Sequence, residues 1–216
     1  MQIYGSFGPN PRALRWFLLE KGIEIPTREL DILGGENRKS PYVDKNPGGQ
    51  LPALELDDGR VIGETVAIFE YIEEKHPTPP LVGKTAEDRA ETRMWQRRIE
   101  LNITEPLYAA FRFSDGVEMF KTRIHVIPQA AADLKAVVQE RLGWLDKLIA
   151  GRDWIVPGRF TIADIILYAA LDFGATAGQP LNPGLANING WFKRVGARPG
   201  ATASLHPAAA QVKMAG

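Results

Sequence analysis

Residues 46–68 read Asn-Pro-Gly-Gly-Gln-Leu-Pro-Ala-Leu-Glu-Leu-Asp-Asp-Gly-Arg-Val-Ile-Gly-Glu-Thr-Val-Ala-Ile, and the fold is decided here. Residues 51–56 and 60–63 are two strands joined by Asp57-Asp58-Gly59, a hairpin turn signal. Residues 64–75 follow as a helix, with Val66, Ile68, Phe69 and Ile72 recurring on its inward face. The unit is strand, turn, strand, helix.

Working toward the N-terminus, residues 34–49 mix Gly, Pro and charge, which predicts a long surface loop with at most one helical turn. Residues 27–32 read as a strand. Residues 11–22 read as a helix that Pro11 opens, that Leu14, Phe17 and Leu18 carry at helical spacing, and that Lys21-Gly22 ends. Residues 2–4 are a further strand, followed by a loop rich in turn formers. The order βαβ-ββα is that of a thioredoxin-like α/β domain, assigned to residues 1–76, with a parallel first pair and a right-handed crossover. Toward the C-terminus, His76-Pro77-Thr78-Pro79-Pro80 cannot continue a helix, because proline lacks the N–H and clashes with the preceding turn. Residues 77–84 are therefore the linker. Residues 85–216 form an all-α helical bundle domain, with helical patterns at 85–113, 128–150, 162–173 and 183–197 and no alternating strand. Residues 200–216 have no periodicity and read as a loosely held tail.

Composition narrows the chemistry. Lys plus Arg equals Asp plus Glu at 26 each, so no overall positive field draws the chain onto nucleic acid. There is no cysteine, which removes disulfides and any protein-thiol nucleophile, so sulfur chemistry has to come from a ligand. His76, His125 and His206 lack the mutual spacing of a metal site. No apolar run reaches the roughly 18 residues of a membrane span, and Met1-Gln2-Ile3-Tyr4 reads as a strand instead of a signal peptide. The expected location is the cytoplasm.

Three local signals carry chemistry. Gly8-Pro9-Asn10-Pro11-Arg12 puts free N–H groups and the positive end of a helix dipole at the mouth of the first domain, a site that favours an anion unless it is only a strand-to-helix turn. At Leu51-Pro52 a cis peptide turns the Leu51 N–H and C=O outward for a peptide ligand, whereas a plain edge-strand proline does not. Glu64-Thr65 is either an ordinary helix cap or a grip for an amino acid, with Thr65 and the helix N–H groups on its carboxylate and Glu64 on its ammonium.

At these spacings the three signals resemble the glutathione transferase superfamily, and the resemblance covers nearly the whole chain. Phe160-Thr161-Ile162-Ala163-Asp164-Ile165 is similar to the family's structural capping motif, with Thr161 and Asp164 satisfying donors at the start of a buried helix. The resemblance implies glutathione as co-substrate, with Gln50 and the Leu51 backbone on its cysteinyl part and Glu64 and Thr65 on its γ-glutamyl end. Asn37 and Arg38 fall where relatives hold the glycine carboxylate, Arg38 as the salt-bridge partner and Lys39 as its substitute. Members often place a Ser or Cys just before Pro-x-x-Arg, and this chain has Gly8 there. It resembles instead the fungal and bacterial subgroups in which an Asn serves, so Asn10 is the catalytic candidate, Ser6 the next and Tyr4 the third. Phe7, Asn102, Tyr108, Arg112 and Phe113 are the expected lining of a pocket for a small hydrophobic electrophile. The implied activity is conjugation of the glutathione thiolate, with glutathione-dependent disulfide or peroxide reduction and an inactive glutathione-binding module as alternatives. A homodimer is also implied, its twofold near the first helix of the second domain, where Trp95 and Ile99 face either the core or the partner.

Overall fold

A computed structural model describes residues 1–209. Its sheet contains β1 (Gln2–Gly5), β2 (Thr27–Glu29), β3 (Ala53–Glu55) and β4 (Val61–Ile62) in the order β2-β1-β3-β4. β1 pairs parallel with β2 through Ile3 and Thr27, and antiparallel with β3 through Ile3 and Leu54. β3 and β4 form the hairpin, with Leu54 opposite Ile62. The helices α1 (Pro9–Lys21) and α3 (Thr65–Lys75) pack on each other, Phe17 stacking on Phe69 at 4.5 Å between ring centroids.

Two expectations for this half need correction. β2 ends at Glu29, not at residue 32. Leu30 still donates to the Gly5 carbonyl at 2.9 Å, but beyond that point β1 has turned toward α1 and no partner remains, so Asp31 begins a turn by accepting the Gly34 N–H. The segment 34–49 holds two helical turns instead of one: a 3-10 turn at Glu36–Arg38 and α2 (Tyr42–Lys45). Both are anchored, since the Tyr42 hydroxyl donates to the Gln50 carbonyl at 2.5 Å and Asn37 donates to the Gly49 carbonyl at 2.6 Å.

After β4 the described chain is helical apart from one isolated bridge between Val156 and Arg159. The helices are α4 (Ala86–Ile99), α5 (Glu105–Phe113), α6 (Val117–Phe120), α7 (Ala131–Leu148), α8 (Ile162–Thr176), α9 (Ala186–Gly196) and α10 (Pro199–Ala203). α4 runs into α5 through a π turn at Glu100–Thr104. Pro106 explains it: proline cannot donate to the preceding turn, and the wider ring, closed by Glu105 N–H to Glu100 C=O, accommodates its side chain without breaking the helix. No described helix is long and apolar enough to cross a membrane.

α8 is buried on nearly every side. Its start rests on Asp164, whose carboxylate accepts from the N–H groups of Thr161 (3.0 Å) and Ile155 (2.9 Å) and from the Trp191 indole at 2.8 Å, while Thr161 accepts from Ala163. One carboxylate thereby fastens the helix to the preceding loop and to α9. A second buried carboxylate, Glu73 of α3, accepts the N–H groups of Leu81, Val82 and Gly83 and pairs with Lys21 of α1, which also donates to the carbonyls of His76 (2.8 Å) and Pro79 (2.5 Å). The proline-rich linker is thus held at both ends of its turn.

The reading of residues 200–216 as a loose tail also needs correction for the described part; residues 210–216 lie outside the described residues. Gly200 and Ala201 are buried in α10, and a Cβ on Gly200 would lie 2.2 Å from the Trp16 indole nitrogen. A helix of this length shows no periodicity, and its partners sit in α1, far away in sequence.

Asp164→Ala leaves three buried donors without an acceptor, so it should destabilise the fold by about 3–5 kcal/mol and lower the melting midpoint by roughly 10 °C. A shift below about 2 °C in calorimetry would refute this role. Glu73→Ala strands the Lys21 ammonium inside the protein and should cost a similar ~3–5 kcal/mol, measured by denaturant unfolding.

Candidate functional site

A cavity of about 220 Å³ opens where the loop after β1, the 3-10 turn at Glu36–Arg38 and the Gly49–Leu51 turn face α5 and α6. Of the residues singled out from the sequence, it brings together Phe7, Asn10, Asn37, Arg38, Gln50, Leu51, Tyr108 and Arg112.

The first wall is the start of α1. Gly8 has φ 127°, a conformation that a side chain disfavours, so the backbone itself excludes a Ser or Cys at this position. Pro9 and Pro11 have no N–H, and the Arg12 N–H bonds the Gly8 carbonyl at 3.0 Å. Within the first turn of α1 the expected row of free N–H groups reduces to one, that of Asn10. Asn10 lines the cavity, and its carboxamide has no hydrogen-bond partner among the described residues.

The second wall is the turn before β3. The Leu51–Pro52 bond is cis. Independently of that, neither the N–H nor the C=O of Leu51 has a partner among the described residues. Gly49, at φ 59°, lies so close to the 3-10 turn that a Cβ there would sit 2.8 Å from the Asn37 carbonyl oxygen. Asn37 holds this turn through its amide, and its Oδ1 is buried without a partner. Arg38 donates to the Gly48 carbonyl at 3.1 Å, and its Nε is likewise buried and unpaired. Burial lowers the affinity of this guanidinium for its proton, and the charges of Arg123 and Arg112 lower it further. Such a group gains from an anion.

The third wall belongs to the helical domain. Tyr108 of α5 is buried, which pushes its phenol well above the ordinary tyrosine value and keeps the hydroxyl protonated as a donor. Phe111 and Phe173 meet edge to face at 4.9 Å, with Phe120 and Met119 beside them.

Several expected residues lie elsewhere. Ser6 is buried and its hydroxyl donates to the Leu30 carbonyl at 2.9 Å, away from the cavity. Tyr4 is in a separate small core beside Tyr42, its hydroxyl bonded to Glu55. Lys39 is exposed and donates to the Gly34 carbonyl at 3.2 Å. Asn102 and Phe113 do not line the cavity: Asn102 bonds back to the Arg98 carbonyl at 2.8 Å, and Phe113 points off the stripe that Tyr108, Phe111 and Arg112 share at helical spacing. Glu64 and Thr65 stand outside the cavity at the start of α3, with no side-chain hydrogen bond. Glu64 has φ 63°, the one non-glycine positive φ among the described residues, a conformation that costs about 1–3 kcal/mol and is typically kept where a ligand needs it. Phe111 was legible from its spacing to Tyr108. Met119, Phe120, Arg123 and Ile124 come from a stretch without periodicity, and nothing in the sequence marks them.

Comparison with known proteins agrees with this architecture. The family model described as glutathione S-transferase, N-terminal domain, matches residues 7–75, and that for the C-terminal domain matches residues 109–199. Glutathione S-transferase 2 of Saccharomyces cerevisiae is 29% identical over 89% of this chain and 83% of its own length. Glutathione S-transferase GstA of Escherichia coli O157:H7 is 30% identical over 92% of this chain and 94% of its own. Among solved structures, a glutathione S-transferase domain-containing protein from Marinobacter aquaeolei VT8 superposes with a TM-score of 0.87 at 32% identity, covering 93% of this chain and all of that one. With a four-stranded sheet and helices before a helical second half, and with both family models matched, the chain belongs to the glutathione S-transferase superfamily.

Proposed function

We propose that the protein is a glutathione transferase that conjugates the glutathione thiolate to small hydrophobic electrophiles, acting as a cytoplasmic homodimer. The observation that carries it is the unpaired Leu51 backbone on one wall of the cavity and the free Asn10 amide on another wall of the same cavity. Buried backbone groups without partners cost free energy unless a ligand supplies them, and an extended peptide offers the matching N–H and C=O. In this reading residues 1–76 hold glutathione, residues 77–84 link, and the domain assigned to residues 85–216 supplies the electrophile wall from its described helices. The cysteinyl unit pairs with Leu51 beside Gln50. The γ-glutamyl end reaches Glu64 and Thr65, and the glycine carboxylate meets Arg38, supported by Asn37. The sulfur then faces Asn10.

Bringing a thiol of pKa about 8.5 to about 6.5 takes roughly 2.7 kcal/mol of preference for the thiolate. A helix N-terminus supplies ~0.3–2 kcal/mol, and here it has a single N–H to offer. The Asn10 side chain, as a donor to an anion worth ~1.5–3 kcal/mol, provides the remainder. With the sulfur ionised and the electrophile against Tyr108 and Phe111, attack forms the carbon–sulfur bond, and proximity supplies much of the acceleration.

Asn10→Ala should raise the pKa of bound glutathione by about one to two pH units with little change in affinity, read as the pH titration of thiolate absorbance. Activity at neutral pH then falls and recovers as pH rises through the new pKa. Ser6→Ala and Tyr4→Phe should leave the titration in place, because both hydroxyls are bonded elsewhere; a shift in either of these with none in Asn10→Ala would overturn the assignment. Turnover is checked on an aryl halide, a hydroperoxide and a disulfide, and binding of glutathione with turnover of none would make the protein a binding module.

For the dimer, Trp95 and Ile99 are buried within their own chain and are not the contact. Met94 and Leu101, 41% and 56% exposed on the same helical run, are the apolar groups left for a partner. Light scattering at micromolar concentration should give twice the 23.9 kDa chain mass, and a monomer would refute it.

A further inference from the structure

The chain as a whole is balanced in charge, yet the cavity is not. Three arginines, Arg38, Arg112 and Arg123, line it, and no Asp or Glu does. Arg38 and Arg123 form no ion pair among the described residues, and Arg112 reaches Glu105 only at 4.0 Å. The three divide by position. Arg38 sits on the loop of the first half, against Gly48. Arg112 comes from α5, and Arg123, from the segment after α6, lines the cavity and donates to the Leu33 carbonyl at 3.0 Å. A glycine carboxylate neutralises one positive charge, at Arg38, and two guanidinium groups remain over an apolar aromatic floor of Phe111, Phe120 and Phe173. Partly desolvated cations without a counter-charge are unfavourable unless a ligand completes them.

We propose, on the strength of the transferase reading above, that the second substrate is a flat aromatic electrophile bearing a carboxylate or similar anion, which Arg112 and Arg123 hold while its ring lies on the phenylalanines. Tyr108, its hydroxyl kept protonated, lines the same space. Planar guanidinium groups suit a carboxylate through paired N–H bonds. For an aryl chloride the step balances simply: the thiolate sulfur bonds the ring carbon, the carbon–chlorine bond breaks, and chloride leaves, the thiol proton having already passed to solvent.

The test is a matched pair, 4-chloro-3-nitrobenzoate and its neutral amide 4-chloro-3-nitrobenzamide. Wild type should turn over the benzoate with a kcat/KM about ten- to hundredfold above the amide, a preference that shrinks as salt is raised. Arg123→Gln and Arg112→Gln should each reduce that ratio, and the double variant should abolish it, while the KM for glutathione stays put. Equal rates on the two compounds in wild type, an unchanged ratio in the double variant, or a rise in glutathione KM in place of a loss of preference would each overturn the proposal. The wild-type ratio and its salt dependence need no variant to fold. If neither compound reacts, calorimetric binding of the two corresponding glutathione conjugates decides. Tighter binding of the carboxylate conjugate supports the anion site even where turnover fails, equal binding refutes it, and no binding of glutathione or either conjugate refutes the transferase reading itself.

Discussion

The molecule depends on a guanidinium sealed between its two halves. Arg12, 1% exposed on α1, pairs with Asp172 of α8 at 2.5 Å and donates to the Ala201 carbonyl at 2.8 Å, with the Ser204 hydroxyl at 3.4 Å and the Tyr168 ring beneath it. A buried charge this well partnered is costly to disturb, because loss of one partner leaves the other uncompensated. Arg15, one turn on, donates to the carbonyls of Ser204 and Ser6. α1 is therefore a shared element. Its Phe17 face completes the sheet domain, and its Arg12 and Trp16 face completes the helical one, Trp16 meeting Tyr168 edge to face at 5.2 Å.

That constraint also makes the cavity. Because α1 is locked from both sides, its N-terminal turn has a fixed position relative to α5 and α8, and the space between them stays open. The linker reinforces the arrangement from the other end of α1: Lys21 and Glu73 gather the carbonyls and N–H groups of residues 76–83, and the Leu81 carbonyl accepts from Ile162 at the start of α8. One ion pair at each end of the same helix, partly buried at Arg12–Asp172 and fully buried at Lys21–Glu73, sets the angle at which the two halves meet.

Within the cavity the chemistry is divided by which half supplies the groups. The sheet half contributes backbone and amides: the Leu51 N–H and C=O, the Asn10 amide, and Asn37 and Arg38 with unpaired buried atoms. These suit a peptide with a carboxylate end. The helical half contributes aromatic surface, a protonated phenol and two arginines, which suits a different and less peptide-like occupant. Gly8 reconciles the two halves, since its positive φ lets the chain turn sharply into α1 and present Asn10 where a hydroxyl-bearing residue would be strained.

The sequence by itself determined the element order, the hairpin, the break after residue 76, the helical second half, the Thr161–Asp164 cap and the loop residues Asn10, Arg38, Gln50 and Leu51. These rest on short-range rules: period, turn chemistry, capping and the missing N–H of proline act between residues a few positions apart. What tertiary structure alone decided is where long side chains end. Arg12 and Lys21 carry no local mark of burial, Ser6 and Tyr4 no sign that their hydroxyls are already bonded, and Met119 to Ile124 no period that would aim them at a cavity. α10 was invisible for the same reason, since five residues cannot show a repeat and its partners lie nearly the whole chain away. Which polar atoms are satisfied and which are left for a ligand depends on the packing of α1 against both halves.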